Sequence, residues 1–112
     1  MTNVNYHTLA TTFARALKVT IADQNRVLIA NLPTRDFSLK APLSLILVED
    51  EGEYRAELPE VELYAFAGSE WEAIGELLEE FVDLCKEILP KRDVELGASA
   101  KRWKHFLASI VK

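Results

Sequence analysis

The sequence predicts one α+β domain over residues 1–112, in which an antiparallel sheet of about four or five strands carries a long helix at 69–89 and shorter terminal helices. Two observations lead to this fold class. Short segments of apolar residues, several of them alternating with polar ones, recur between residues 18 and 67. A long stripe of apolar residues at helical spacing then follows. With 112 residues, 49% hydrophobic and 28% charged, the chain is long enough for one core and too short for two.

The N-terminal third of the chain predicts a helix and a hairpin. Apolar residues three or four positions apart predict a first helix near 4–16; they are Tyr6, Leu9, Phe13 and Leu17. Segments 18–22 and 26–30 are rich in β-branched residues, and the turn-forming residues of 23–25 separate them, so they predict a β-hairpin. Pro33 interrupts this pattern, and we expect 32–42 to be a loop or an irregular edge strand.

The middle of the chain predicts three more strands. Segment 43–48 is apolar except for Ser44, as expected for a central strand covered on both faces. An acidic turn follows at 49–53, where Gly52 is free to adopt a positive φ. Alternating polarity predicts strands over 53–58 and 61–66.

Two C-terminal helices complete the expected fold. Ser69 and Glu72 have the spacing of a capping box, so they predict that the long helix begins there. Its expected core-facing stripe comprises Ile74, Leu77, Leu78, Phe81, Val82, Cys85 and Ile88. We expect a short turn near 94–97 and a last helix capped by Ser99, whose apolar stripe comprises Trp103, Phe106, Leu107, Ile110 and Val111.

Charge is distributed unevenly along the chain. Segment 49–87 contains fourteen acidic residues against Arg55 and Lys86, whereas both flanking segments are net basic and the whole chain carries −5. Such an acidic centre disfavours direct binding of nucleic acid through this part of the chain. Two interpretations stay open, a surface that attracts a basic protein and the solvated acidic face of an ordinary domain. No apolar run is long enough to span a membrane, and a lone cysteine fits a reduced, cytoplasmic protein.

The sequence offers little support for catalysis. Cys85 lies on the apolar stripe of the long helix, which favours a structural thiol. His7 and His105 lie near opposite ends of the chain, without the spacing of a zinc site. The acidic turn lacks the ligand pattern of a calcium loop, and no glycine-rich phosphate loop is present. We therefore expect no catalytic residue, no metal site and no cofactor.

A family resemblance appears over residues 43–89. Segment 43–60 is followed by Ala65-Phe-Ala-Gly-Ser-Glu-Trp-Glu-Ala-Ile74, and together they resemble the HicB-like antitoxin domain. The matching positions are Gly52, Tyr54, Leu58-Pro59, Gly68 and Glu72-Ala73. The resemblance implies an antiparallel sheet with a long helix packed on it, self-association, and the blocking of a small basic RNA-cleaving toxin.

The leading functional hypothesis is thus a non-catalytic protein-interaction module whose acidic surface binds a basic partner. The expected partner-binding residues are Glu49, Asp50, Glu51, Glu53, Tyr64, Phe66 and Trp103. One alternative is a small enzyme or ligand-binding protein with a carboxylate-lined pocket. Another is a nucleic-acid binder that uses the basic cluster at 101–105. We also expect a homodimer, because a small sheet with apolar residues on both faces leaves surface near Tyr64 and Phe66, or near Trp103, to be covered.

Overall fold

A computed structural model describes residues 19–23 and 25–112, with side chains from Asn25 onwards. The helix expected near 4–16 lies outside these residues. The chain forms a five-stranded antiparallel sheet in the order β1-β2-β3-β4-β5, followed by two helices. The strands are β1 (Val19–Asp23), β2 (Arg26–Ile29), β3 (Leu43–Asp50), β4 (Glu53–Leu58) and β5 (Leu63–Ala67). The helices are α1 (Glu70–Ile88) and α2 (Ala98–Ile110). The predicted α+β class is confirmed.

The hairpin expected from segments 18–22 and 26–30 is present as β1 and β2. The pairing is regular from Val19 opposite Ile29 to Ile21 opposite Val27, and it becomes irregular before Asp23. Segment 32–42 contains no regular strand, as expected. Its one bridge in the described chain joins Leu39 to Val111.

The β3–β4 connection is a two-residue hairpin turn. Asp50 pairs with Glu53, and the two residues between them both have positive φ, 52° at Glu51 and 85° at Gly52. Positive φ at both central positions defines a type I′ turn, whose twist matches that of the flanking strands. Gly52 adopts this conformation without steric cost, whereas Glu51 does not.

The expectation of a strand beginning at Val61 is wrong. Pro59–Val61 is a single 3-10 turn, and Glu62 then adopts a left-handed conformation with φ of 57°. Pro59 suits the first position of such a turn because its fixed φ is already helical. The polarity pattern does not reveal this break, since Val61 is buried whether it lies in a strand or in the turn.

The two faces of the sheet differ. Ala56 is fully buried between its ladder partners Leu47 and Ala65 on the face that α1 covers. The core contains alternate strand residues and the α1 stripe, and its largest fully buried side chain is that of Phe81. The opposite face carries half-buried Ser44, Ile46 and Val48 on β3, followed by exposed aromatic residues on β5. The prediction that both faces of β3 are covered is therefore wrong for the second face, which is only half-buried.

Helix α1 begins as predicted, whereas the start of α2 differs from the prediction. The Glu72 N–H donates to Ser69 Oγ at 3.3 Å, which caps α1. At α2 the cap is Gly97, with no side-chain bond to the first turn. Ser99 lies one residue inside α2 and accepts from the Arg102 guanidinium at 3.2 Å. The expectation that Ser99 caps this helix is therefore wrong.

The end of α2 is joined to the loop that precedes β3. The Lys40 N–H donates to the Ile110 carbonyl at 2.7 Å, and the Lys112 N–H donates to the Ser38 carbonyl at 2.8 Å. Lys40 Nζ also donates to the Ala108 carbonyl at 3.0 Å. These bonds form a small clasp between residues 38–40 and 110–112. No described helix is long and apolar enough to cross a membrane.

Candidate partner-binding surface

The acidic turn lies at one end of the sheet, where β3 and β4 meet. Glu49 and Asp50 end β3, Glu51 occupies the turn and Glu53 begins β4. All four side chains are exposed. The type I′ turn thus concentrates four carboxylates within five residues on a rigid hairpin.

Glu49 connects this turn electrostatically to the start of α1. Glu49 faces Tyr54 across the β3–β4 ladder, and Tyr54 in turn pairs with Ala67, three residues before Glu70. Partial burial raises the pKa of Glu70, and the negative charge of Glu49 raises it further. Desolvation also raises the pKa of Tyr54, with smaller contributions from Glu49 and Glu70. The negative charges of Glu49 in the turn and Glu70 at the helix N-terminus therefore repel each other.

The solvent side of α1 extends this group of charges along the helix. Its exposed acidic residues are Glu72, Glu76, Glu79, Glu80, Asp83 and Glu87. Glu87 pairs with Lys91 at 3.9 Å, and the Glu72 carboxylate accepts from the Ser69 hydroxyl at 2.9 Å. For the other four, no basic group of the described chain lies within salt-bridge distance.

We use "acidic surface" for the turn residues together with Glu70 and the four unpaired helix residues: Glu49, Asp50, Glu51, Glu53, Glu70, Glu76, Glu79, Glu80 and Asp83. Helix α1 has 19 residues, so its length is about 28 Å at the usual rise per residue. The helix part of the acidic surface runs from Glu70 to Asp83, about 20 Å, which is longer than a single ion site.

The expected partner-binding residues do not all lie together. Phe66 borders the acidic turn, because a small cavity of about 40 Å³ is lined by Asp50, Glu53, Tyr54, Arg55 and Phe66. Tyr64 lies two ladder positions further along β5, opposite Glu57. Trp103 is half-buried on α2, which packs against the 3-10 turn at the far end of β4. The structure therefore joins Phe66 to the acidic turn and separates Trp103 from it.

Two cavities bear on the alternative of a ligand-binding pocket. One, of about 490 Å³, lies in the β2–β3 loop and is lined mainly by neutral side chains of residues 30–39, with Arg35 its single charged residue. The other, of about 280 Å³, lies between this loop and α1 and is lined by Pro33, Thr34, Glu79, Val82, Asp83 and Lys86. Glu79 and Asp83, the two carboxylates that line it, are both exposed.

The described residues form no cluster of three or more potential metal ligands. The Cys85 thiol is buried in the core, and burial raises its pKa to about 11. Such a thiol remains protonated at neutral pH and is shielded from solvent, so it is a core residue as predicted from its place on the stripe.

The basic residues of α2 are divided between structural and exposed positions. Lys104 donates to the Lys91 carbonyl at 2.6 Å and to Asp93 Oδ1 at 3.1 Å, which fixes the connection between the two helices. Lys101 and Arg102 are exposed, while Trp103 packs against the core. The aromatic residue of the basic cluster is thus turned to the core, where it offers little surface for stacking on a base.

Comparison of the chain with protein-family models, with curated proteins and with solved structures found no match. Functional inference therefore depends on the geometry described above and on the resemblance over residues 43–89.

The four unpaired acidic residues of α1 were absent from the site expected from sequence. Their spacing was visible as the polar side of an amphipathic helix, which is typical of an ordinary solvated face. The tertiary structure adds one observation, because the charge of Glu49 in the turn raises the pKa of Glu70 at the start of the same helix.

Proposed function

We propose that this protein is a cytoplasmic, non-catalytic interaction module whose acidic surface binds a small basic protein. The observation that carries this proposal is the position of Glu49 near the start of α1. Glu49 faces Tyr54, whose ladder partner Ala67 precedes Glu70 by three residues, and the charge of Glu49 raises the pKa of Glu70. The helix dipole favours Glu70 at the start of α1, but its repulsion from Glu49 costs free energy, and a basic partner would relieve that repulsion.

The chemistry of the surface favours a basic protein over other ligands. Exposed carboxylates without internal partners attract Lys and Arg side chains, steer their approach and repel phosphate groups. The neighbouring Phe66 offers an apolar contact at the edge of the acidic turn, as protein interfaces commonly do. The resemblance to HicB-like antitoxins supports the same class of partner, a small basic toxin.

The first experiment isolates the partner from the native host with the full chain as bait, then measures binding to the purified partner by calorimetry. The double variant Glu79→Gln/Asp83→Asn removes two charges of the acidic surface. We expect this variant to raise Kd about tenfold at low salt, since two partly exposed ion pairs contribute roughly 1–2 kcal/mol. The increase in Kd should become smaller as the salt concentration rises.

A matched control has the same change in net charge elsewhere. Glu60 and Glu62 are exposed near the 3-10 turn, at the opposite end of β4 from the acidic turn. The double variant Glu60→Gln/Glu62→Gln should bind as tightly as the wild-type protein. Equal loss in both variants would indicate a dependence on net charge alone and would reject the acidic surface as the binding site.

A second measurement tests the antitoxin hypothesis itself. If the isolated basic partner cleaves RNA, adding the wild-type chain should suppress the cleavage, and Glu79→Gln/Asp83→Asn should suppress it less. If the partner does not cleave RNA, the proposal of an interaction module stands and the antitoxin role is rejected. Direct binding of RNA by the chain alone, lost in Lys101→Gln/Arg102→Gln, would instead favour the nucleic-acid hypothesis.

A further inference from the structure

Strand β5 is the last strand of the sheet in the described chain, and it pairs with β4 alone. An edge strand presents a row of backbone N–H and C=O groups that only another strand can pair regularly. Natural edges are usually protected by a charge, a proline or a bulge. None of these occurs in Leu63–Ala67, whose sequence is Leu-Tyr-Ala-Phe-Ala and whose ladder to β4 is regular.

The same strand carries two large exposed aromatic side chains. Tyr64 is 53% exposed and Phe66 is 58% exposed, and Val94 is the other large hydrophobic residue so exposed in the described chain. Both aromatic residues lie on the face of the sheet opposite α1, because the alternate residue Ala65 is buried on the helix side. An unprotected edge and an apolar pair therefore coincide on five residues.

We propose that β5 pairs with β5 of a second copy of this chain, antiparallel about a twofold axis at Ala65. This register places Tyr64 opposite Phe66 of the partner subunit and Leu63 opposite the partner's Ala67. Two aromatic cross-strand pairs result, each of a kind that stabilises sheets. The result is a continuous ten-stranded sheet.

The strand that pairs with the β5 edge is β5 of a second copy, because the sequence of β5 is complementary to itself. A twofold axis at Ala65 pairs each residue of β5 with the partner subunit's residue at the same distance on the other side of Ala65. Strand β5 contains no charged residue, so no like charges face each other within it. Glu62, just outside it, falls opposite the partner's Gly68. A basic partner's strand would find no acidic residue in β5 to recognise. The proposal is thus distinct from binding at the acidic surface.

The dimer and the complex with a basic protein should respond to salt in opposite ways. Each copy carries a net charge of −5, so two copies repel each other and added salt should strengthen the dimer. Binding of a basic protein to the acidic surface should instead weaken with salt.

Light scattering coupled to size exclusion tests the dimer on the full chain. We expect a mass of two chains at micromolar concentration and of one chain for Phe66→Glu, which places a carboxylate opposite Tyr64. Val94→Glu, with the same charge change at an exposed residue of the Asp93–Glu95 3-10 turn, should remain dimeric. A single-chain mass for the wild-type protein at high micromolar concentration would overturn the proposal, as would a dimeric Phe66→Glu.

Disulfide trapping tests the register and preserves both aromatic residues. In Leu63→Cys/Ala67→Cys the introduced thiols meet across the twofold, where paired Cα atoms lie about 4.5–5.5 Å apart, within disulfide range. Within one strand the two positions are about 13 Å apart, too far to bridge. Mild oxidation should give a covalent dimer of the double variant and little of either single variant. Equal cross-linking of the single variants would reject the register. Circular dichroism of Phe66→Glu confirms that it folds, and Tyr64→Lys replaces it if it does not.

Discussion

Ser69 and Glu72 bond each other twice at the start of α1. The Ser69 hydroxyl accepts from the Glu72 N–H at 3.3 Å and donates to the Glu72 carboxylate at 2.9 Å. The cap therefore both satisfies a backbone group at the helix start and holds a negative charge near the positive end of the helix.

Replacing the capping residue should weaken α1. Ser69→Ala removes both bonds, and we expect the free energy of unfolding to fall by about 1 kcal/mol. Chemical denaturation measures the difference. Ser99→Ala is the matched control, since Ser99 caps nothing, and it should cost less. An unchanged midpoint and slope for Ser69→Ala would contradict the cap.

The core prediction concerns Phe81, which is fully buried between α1 and the sheet. Phe81→Ala leaves a cavity and should lower the free energy of unfolding by about 3–5 kcal/mol. Thermal and urea melts of the purified variants give the value. Phe106→Ala, at a half-buried position on α2, should cost clearly less. Equal losses would mean that Phe81 is not the centre of the core.

Two substitutions in the hairpin turn should change the free energy of unfolding in opposite directions. Gly52→Ala places a Cβ where φ is 85°, so it should destabilise by about 1 kcal/mol. Glu51→Asn puts a residue that tolerates positive φ at the other turn position and should stabilise by a few tenths of a kcal/mol. Gly68→Ala is the control, because Gly68 has open space around it and no positive φ. Urea denaturation of the three variants checks the signs.

Charge repulsion at the turn predicts a change in titration. Glu49→Gln removes one cause of the raised pKa of Glu70, which should fall while remaining above its usual range because burial persists. Carboxyl chemical shifts followed by NMR against pH measure this. Glu53→Gln is the control, since its charge does not contribute to that pKa. An equal fall in both variants would contradict the pairing.

The same substitution predicts a pH dependence of stability. Folding raises the pKa of Glu70, so its unfolded form ionises first and stability is lost as the pH rises through the folded pKa. Glu49→Gln should therefore be more stable than the wild-type protein at pH 7. The difference should shrink below about pH 4, where the carboxyl groups are protonated in both proteins. Urea melts across this range provide the measurement.

Local sequence patterns predicted most of the elements in the described part of the chain. The apolar segment of β3, the glycine of the turn and the Ser69 cap of α1 each act within a few residues, so their conformations follow from local chemistry. The Glu72 carboxylate accepts from the Ser69 hydroxyl, where a capping box would have it accept from the Ser69 N–H. The break at Glu62 could not be predicted in this way. Val61 fits an alternating strand pattern, and the 3-10 turn that contains it packs against α2, which lies far along the chain.

The same distinction between local sequence patterns and long-range packing applies to the candidate surface. The four carboxylates of the turn are visible as a run in the sequence, whereas the electrostatic effect of Glu49 on Glu70 depends on the pairing of β3, β4 and β5. The sequence predicts Trp103 among the partner-binding residues because the last helix is one candidate for the dimer interface. The fold separates Trp103 from the turn, because α2 packs at the other end of β4.

The clasp between residues 38–40 and 110–112 has a consequence for the order of folding. It closes a loop of about 70 residues, whereas each hairpin of the sheet closes a few residues to a few tens. Long loops cost more entropy to close, so we expect the strand pairs to form before the clasp. The fastening of residues 38–40 should accordingly be a late step in folding.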